Sequence, residues 1–312
     1  MLRWLLLRAA DSRSLAGIAG RDPITREVVS TYVAGESIAA GLAAGRPLAA
    51  RGIDLTMDHV GEHIADLSDA EAAADVYRRL LDHIGDEGLP AGVSVKPTQL
   101  GLLLDRGACT ALIEDLAKRA AGAGVHVTLD MEDHTVAEPT VQLVEEAHAA
   151  GYTNVGCAVQ SYLHRTTEDV RRLTRIGASL RLCKGAYAEP AHLAYQRKVD
   201  VDRSYLESAR YLLAEAVEPR FATHDHRLVA AIKREAALIG RDRSTYEFQM
   251  LYGVRPDMQA SLIDDGYRLR VYLPFGEQWF PYFARRLAER PANLIFFLRA
   301  LGGAVRRPGA PT

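Results

Sequence analysis

Eight short apolar runs, each followed by a longer stretch of helical periodicity, constrain this chain more than any other feature of it. The runs lie at 53–57, 92–96, 126–130, 154–160, 180–184, 221–224, 246–251 and 269–273. The helical stretches between them fall near 69–85, 105–121, 137–150, 167–176, 203–217, 226–239 and 256–265, and a last pair follows at 279–289 and 292–301. Short continuous apolar runs are the pattern of strands buried on both faces, and the longer 3.6-residue period is that of helices. A strand followed by a helix returns the chain to the same sheet edge, so successive strands run parallel. Eight such units with right-handed crossovers predict a closed (β/α)8 barrel, with a doubly wound open sheet as the alternative. Gly124, Gly151, Gly177 and Gly240 each stand between a helical stretch and the next run, where a C-terminal cap is needed.

The 312 residues suit one barrel of about 250 residues with extra helices. No Pro- or Ser-rich linker divides the chain. We therefore expect a helical segment over 1–50, a catalytic barrel over 51–305 and a disordered tail over 306–312. Basic and acidic residues number 38 and 40, a balance that offers no support for nucleic-acid binding. Cys109, Cys157 and Cys183 are odd in number and form no C-x-x-C pair, which suggests neither a disulfide frame nor a cysteine zinc site and fits a reducing cytoplasm. The Leu5–Leu7 run is too short for a signal-peptide core, and no long uncharged window is present to span a membrane. Only five lysines occur, Lys96, Lys118, Lys184, Lys198 and Lys233. Where arginine is so dominant, a lysine that persists can mark a place where a guanidinium would not serve.

A barrel of this kind keeps its chemistry at the C-terminal ends of its strands. Those ends carry Asp58 and Glu62, Lys96, Asp130 and Glu132, Gln160, Lys184, the Thr223-His224-Asp225 group, Gln249 with Tyr252, and Tyr272. Arg181 lies inside the fifth run. Polar residues at loop starts are ordinary, but Lys96 and Arg181 interrupt apolar strands, and a buried charge needs a partner. His224-x-His226 alone does not make a metal-hydrolase site, since His226 begins a helical stretch and no other strand end offers a histidine. A G-x-S-x-G elbow and a G-x-G-x-x-G turn are both absent. Two readings remain open on the residues alone. A lysine-dependent Schiff-base lyase would use Lys96 or Lys184. A flavin enzyme would bind its cofactor at the barrel mouth, where Arg181 and Lys184 supply positive charge. The Trp279–Glu289 segment adds a paired Arg285-Arg286 directly after the last strand, and adjacent arginines can grip one carboxylate.

Several segments resemble proline dehydrogenase. They are Ser94-Val95-Lys96, Leu129-Asp130-Met131-Glu132, Ala158-Val159-Gln160-Ser161-Tyr162, Arg181-Leu182-Cys183-Lys184-Gly185-Ala186-Tyr187 and Phe221-Ala222-Thr223-His224-Asp225. Glu247-Phe248-Gln249-Met250-Leu251-Tyr252-Gly253, Arg270-Val271-Tyr272-Leu273-Pro274-Phe275-Gly276 and Arg285-Arg286 follow in the family's order. The resemblance runs from about residue 25 to 301 and is to the short, monofunctional bacterial form. It implies a distorted (β/α)8 barrel holding FAD non-covalently at its C-terminal face. The implied reaction oxidises L-proline to Δ1-pyrroline-5-carboxylate, with electrons leaving for a membrane quinone and a pyrroline-5-carboxylate dehydrogenase acting next. By the same resemblance Arg181 lies near flavin N5, Asp130 is required at the site, and Lys96, Arg285 and Arg286 bind the substrate carboxylate. Tyr272 and Leu251 wall the pocket, and Glu62 pairs with Arg285 to close it. Met131, Gln160, Lys184, Gly185, Ala186, Thr223 and His224 match flavin contacts. One departure is Ala188, where bifunctional relatives carry tryptophan. The apolar run 294–298 is expected to pack on the barrel, with peripheral membrane contact as its alternative.

Overall fold

A computed structural model describes residues 23–61 and 64–289, with side chains from Glu27 to Ala284. Two helices, α1 (Pro23–Ser30) and α2 (Ile38–Ala49), precede the first strand. The strands are β1 (Asp54–His59), β2 (Ala91–Val95), β3 (Val127–Leu129), β4 (Val155–Gln160), β5 (Leu180–Cys183), β6 (Arg220–Ala222), β7 (Glu247–Leu251) and β8 (Arg268–Phe275). Helices α3 (Leu67–Glu87), α4 (Arg106–Gly122), α5 (His134–Ala149), α6 (Thr166–Arg175), α7 (Lys198–Glu215), α8 (His226–Leu238) and α9 (Pro256–Asp264) connect them, and α10 (Phe280–Glu289) follows β8. All eight strand pairs are parallel; seven join strands adjacent in sequence, and the eighth pairs β1 with β8 from Asp54↔Arg270 to His59↔Phe275. The sheet is a closed barrel, not the open doubly wound alternative.

The strand pattern explains the packing. Alternate side chains point to opposite faces. Leu55, Met57, Val93, Leu129, Val159, Phe248, Val271 and Leu273 are almost fully buried in the main apolar core with the helices. The residues between them are largely polar: Thr56, Asp58, Ser94, Thr128, Arg181, Arg220, Glu247 and Gln249 are all buried too. This barrel is therefore lined by charge and hydrogen bonds where many barrels stack branched aliphatics.

Helix ends follow their local chemistry. Asp66, Asp105, Asp133 and Asp225 cap α3, α4, α5 and α8 by accepting backbone N–H bonds in the first turn. The Asp133 cap starts α5 at His134, three residues before the helical periodicity becomes visible. Gly124, Gly151, Gly177 and Gly240 all adopt positive φ, as the predicted caps require. Strand β8 runs on to Phe275, beyond the predicted 273, because β1 continues to pair with it. The predicted elements before residue 23, the helix at 292–301, the run 294–298 and the tail 306–312 lie outside the described residues.

Candidate active site

At the C-terminal ends of β1, β2, β3, β5 and β8 six polar side chains converge. Asp130 is the hub. Its Oδ1 accepts from Arg181 Nη1 at 2.9 Å and from Ser94 Oγ at 2.8 Å, and its Oδ2 accepts from Tyr272 Oη at 2.9 Å. Arg181 Nη2 also donates to Ser94 Oγ at 2.7 Å, and the guanidinium carbon lies 5.1 Å from the centroid of the Tyr272 ring. Arg181 and Asp130 retain only 7% and 14% side-chain exposure, so solvent screens this pair weakly. Burial opposes the charge on Arg181, but Asp130 leads the interactions that outweigh it and hold the group above its ordinary pKa. Burial and then Asp130 push the Tyr272 phenol well above its usual range, which keeps it a donor.

A second pair stands beside the first. Lys96 Nζ donates to both Asp58 oxygens, at 3.0 and 3.3 Å, with the carboxylate 1% exposed. Tyr77, fully buried on α3, donates to the Ser94 carbonyl at 2.8 Å and accepts from the His59 N–H at 3.2 Å, tying β1 to β2 under the pair. Four strand-end charges thus sum to neutrality, two acids against Lys96 and Arg181. That is the condition under which buried charge is tolerated.

The other predicted residues form the rim. Gln160 donates to the carbonyls of Met131 and Glu132, at 3.2 and 2.7 Å, fixing the turn after β3. Lys184 contacts Asp202 at 2.6 Å and Asp225 at 3.2 Å. His224 Nε2 accepts from the Leu251 N–H at 2.9 Å, and Thr223 Oγ1 accepts from the Asp225 N–H at 3.1 Å. Gly185 has φ of 102°, and a Cβ there would come within 2.1 Å of the Tyr162 ring, so both conformation and space demand glycine. Ala186 is exposed on the same loop. Leu251 and Tyr272 pack against an apolar cluster of Val29, Tyr32, Val33, Trp279, Phe280 and Phe283, which seats α10 beside the mouth. Trp279 Nε1 donates to Glu36 at 3.1 Å and anchors the start of that helix. Arg285 and Arg286 lie on α10, but their side chains, and Glu62 altogether, are outside the described residues.

Some site groups are not evident from sequence. Ser94 is a plain serine in an apolar strand, yet its hydroxyl joins Arg181 to Asp130. Glu189 accepts from the His134 backbone N–H at 2.9 Å and contacts its ring, clamping the loop after β5 to the start of α5 across 55 positions. Gln249, read as a strand-end group, instead donates to Glu247 at 2.5 Å, deeper in the barrel. Among the described residues no three His, Cys, Asp or Glu side chains are placed to hold a metal ion.

A family model described as proline dehydrogenase matches residues 42–299. The chain belongs to the proline dehydrogenase family. It is accordingly an oxidoreductase and flavoprotein of proline catabolism, and the lyase reading is set aside. Both candidate Schiff-base lysines are engaged by carboxylates. Relatives include "Proline dehydrogenase 1" of Bacillus subtilis (strain 168), 34% identical over 96% of this chain and 99% of that protein. "Proline dehydrogenase" of Deinococcus radiodurans is 36% identical over 86% of this chain and 88% of its own length. Among solved structures, proline utilization A (PutA) from Bdellovibrio bacteriovorus, inactivated by N-propargylglycine, superposes with a TM-score of 0.81 at 24% identity, which speaks for the fold. It covers 92% of this chain, which spans about a third (36%) of that longer protein.

Proposed function

We propose that the chain oxidises L-proline to Δ1-pyrroline-5-carboxylate with non-covalent FAD at the C-terminal barrel face, passing electrons to a membrane quinone. The observation that carries this reading is Arg181. It is buried at the barrel mouth, fixed by Asp130 and Ser94, and its Nε makes no hydrogen bond among the described residues. A buried donor so left calls for an acceptor. A flavin with an electron-rich edge against this guanidinium suits that need. Met131, Gln160, Lys184, Gly185, Ala186, Thr223 and His224 are the residues that would hold it. When bound, the flavin supplies a two-electron acceptor.

The protein's own groups orient the substrate and hold charge. Lys96, Arg285 and Arg286 grip the proline carboxylate, and a ligand held by three cations loses most of its orientational freedom before reaction. Leu251 and Tyr272 wall the ring. Arg181 keeps its positive charge through Asp130 and opposes negative charge that develops nearby during oxidation. Glu62 closes over the site by pairing with Arg285, which excludes water. The proline nitrogen must be neutral to drive imine formation, so kcat/KM rises with pH until that amine is deprotonated. We place the protein in the cytoplasm and, because quinones are lipid-soluble, peripherally at the inner face of the cell membrane. No described helix is long and apolar enough to cross a membrane. A separate pyrroline-5-carboxylate dehydrogenase would receive the product. The test is an anaerobic absorbance titration of the purified protein. Yellow protein that bleaches on addition of L-proline is the expected result. A folded, colourless protein that takes up no added FAD, or one that L-proline leaves unbleached, refutes the reading.

A further inference from the structure

The opposite, N-terminal end of the barrel contains a second polar chamber that plays no part in the chemistry above. Its volume is about 260 Å³, and it opens between the loops that lead into β2 and β3. Gly92 of β2 lines it. A Cβ there would lie 2.8 Å from the His126 carbonyl oxygen, so the close approach of the chain entering β3 requires glycine.

Arg220 lines this chamber, only 3% exposed. Among the described residues its guanidinium makes one hydrogen bond, from Nη2 to Glu218 at 3.0 Å. Its Nε is buried without a hydrogen-bond partner and lies 3.6 Å from Glu247 Oε1, too far to donate well. Arg270, on the same wall, is different: Nε, Nη1 and Nη2 all donate, to Glu247, the Leu55 carbonyl and Asp54. His126 faces the same space and its Nδ1 is likewise buried without a partner. Burial, and then the charge of Arg220, lower the pKa of this ring and keep it neutral. The chamber thus holds one satisfied guanidinium, one with open donors, and a neutral imidazole.

The surrounding charges limit what can enter. Arg220, Arg268 and Arg270 face Asp54, Glu218 and Glu247, and each acid already contacts an arginine at 3.2 Å or less. With these balanced, each added negative charge is uncompensated, so a dianion costs far more to bury than a single charge. A single carboxylate can still accept from Arg220, whose Nη1 donates to no described residue. The rest of the wall is apolar, from Ile84, Leu89 and Val125. We propose that this chamber is a binding site for a short monocarboxylate, its head on Arg220 and its alkyl part against Ile84, Leu89 and Val125.

Butyrate is a suitable probe, titrated calorimetrically into the flavin-loaded protein. Three variants separate the two ends of the barrel. Arg220→Gln removes the guanidinium, and Leu89→Trp fills the chamber without touching the ion network, so it carries the test if Arg220→Gln does not fold. Arg285→Met disables the proposed carboxylate grip at the mouth. The expected result is binding that weakens at least tenfold in Arg220→Gln and Leu89→Trp and persists in Arg285→Met. Binding retained in Leu89→Trp overturns the proposal, as does an absence of binding to the unsubstituted protein. Loss confined to Arg285→Met would assign the probe to the mouth and would leave the proposed oxidation standing.

Discussion

Asp130→Asn changes one atom type and removes one charge, and the geometry says how much should follow. Arg181, at 7% side-chain exposure, would lose the carboxylate 2.9 Å from Nη1 while remaining cationic. An amide can still accept from Tyr272 or Ser94, so the volume and some of the hydrogen bonding survive. What is lost is charge compensation, and breaking a buried pair by removing one partner costs about 3–5 kcal/mol. The remaining acid nearby, Asp58, is already committed to Lys96 at 3.0 Å. Urea denaturation monitored by circular dichroism should therefore show a destabilisation of that order. Arg181→Met alone should be costly too, since it strands Asp130. The double variant Asp130→Asn/Arg181→Met should be far less destabilised than the sum, because an uncharged pair of similar volume carries no such penalty. Activity should behave oppositely, falling in both singles and not recovering in the double. Additive destabilisation within about 0.5 kcal/mol would refute the claim that charge compensation holds these two residues together.

Three further outcomes are expected. Arg285→Met or Arg286→Met should raise the KM for proline strongly, each losing a charge-assisted contact of about 1.5–3 kcal/mol, with flavin content nearly unchanged; an unaltered KM in both would make these arginines surface charge. Glu62→Ala should lower kcat/KM by about tenfold or more, beyond the roughly 0–1 kcal/mol of an exposed pair, and a cycle with Arg285→Ala should show strong coupling, whereas independent effects would dismiss the gate. At the other end of the barrel, burial alone would raise the Glu247 pKa, but Arg270 and Arg220 outweigh it and bring the carboxyl to about 2 from an ordinary 4.5. A depressed folded pKa stabilises the protein above the unfolded value, so roughly 3 kcal/mol should be lost as pH falls from about 4.5 toward 2. Glu247→Gln should flatten that part of the stability–pH curve, and an unchanged slope would argue against it.

The barrel was legible because its outer code is redundant. Leu55, Met57, Val93, Phe248 and Leu273 all face the helices, and each strand repeats the same apolar signal in a short run. Strand ends were less clear, because a boundary depends on one partner. Asp133 shifts the start of α5 through a single cap, and β8 gains two residues only because β1 is there to pair with them. The site divides along the same line. Lys96 and Arg181 announced themselves as charges in apolar surroundings. Ser94 and Glu189 did not, since a serine in a strand and a glutamate in a loop are unremarkable until a barrel brings residues 87 and 55 positions away against them.

One fold holds both an evident site and a concealed chamber. Inward positions alternate with outward apolar ones along the strands, and in three of them the polar lining continues two residues below the mouth. Tyr272 stands above Arg270, Asp58 above Thr56, and Asp130 above Thr128. A barrel that lines its mouth with paired charges and continues polar residues down its axis gives up aliphatic filling. It must then balance charge at the base as well, which Arg220, Arg268 and Arg270 do with Asp54, Glu218 and Glu247. In sequence these basal residues look like ordinary strand-start charges, because their partners lie on other strands. Their burial follows only once the sheet is closed, and closure between β1 and β8 is what brings Asp54 to Arg270 and completes the lower layer.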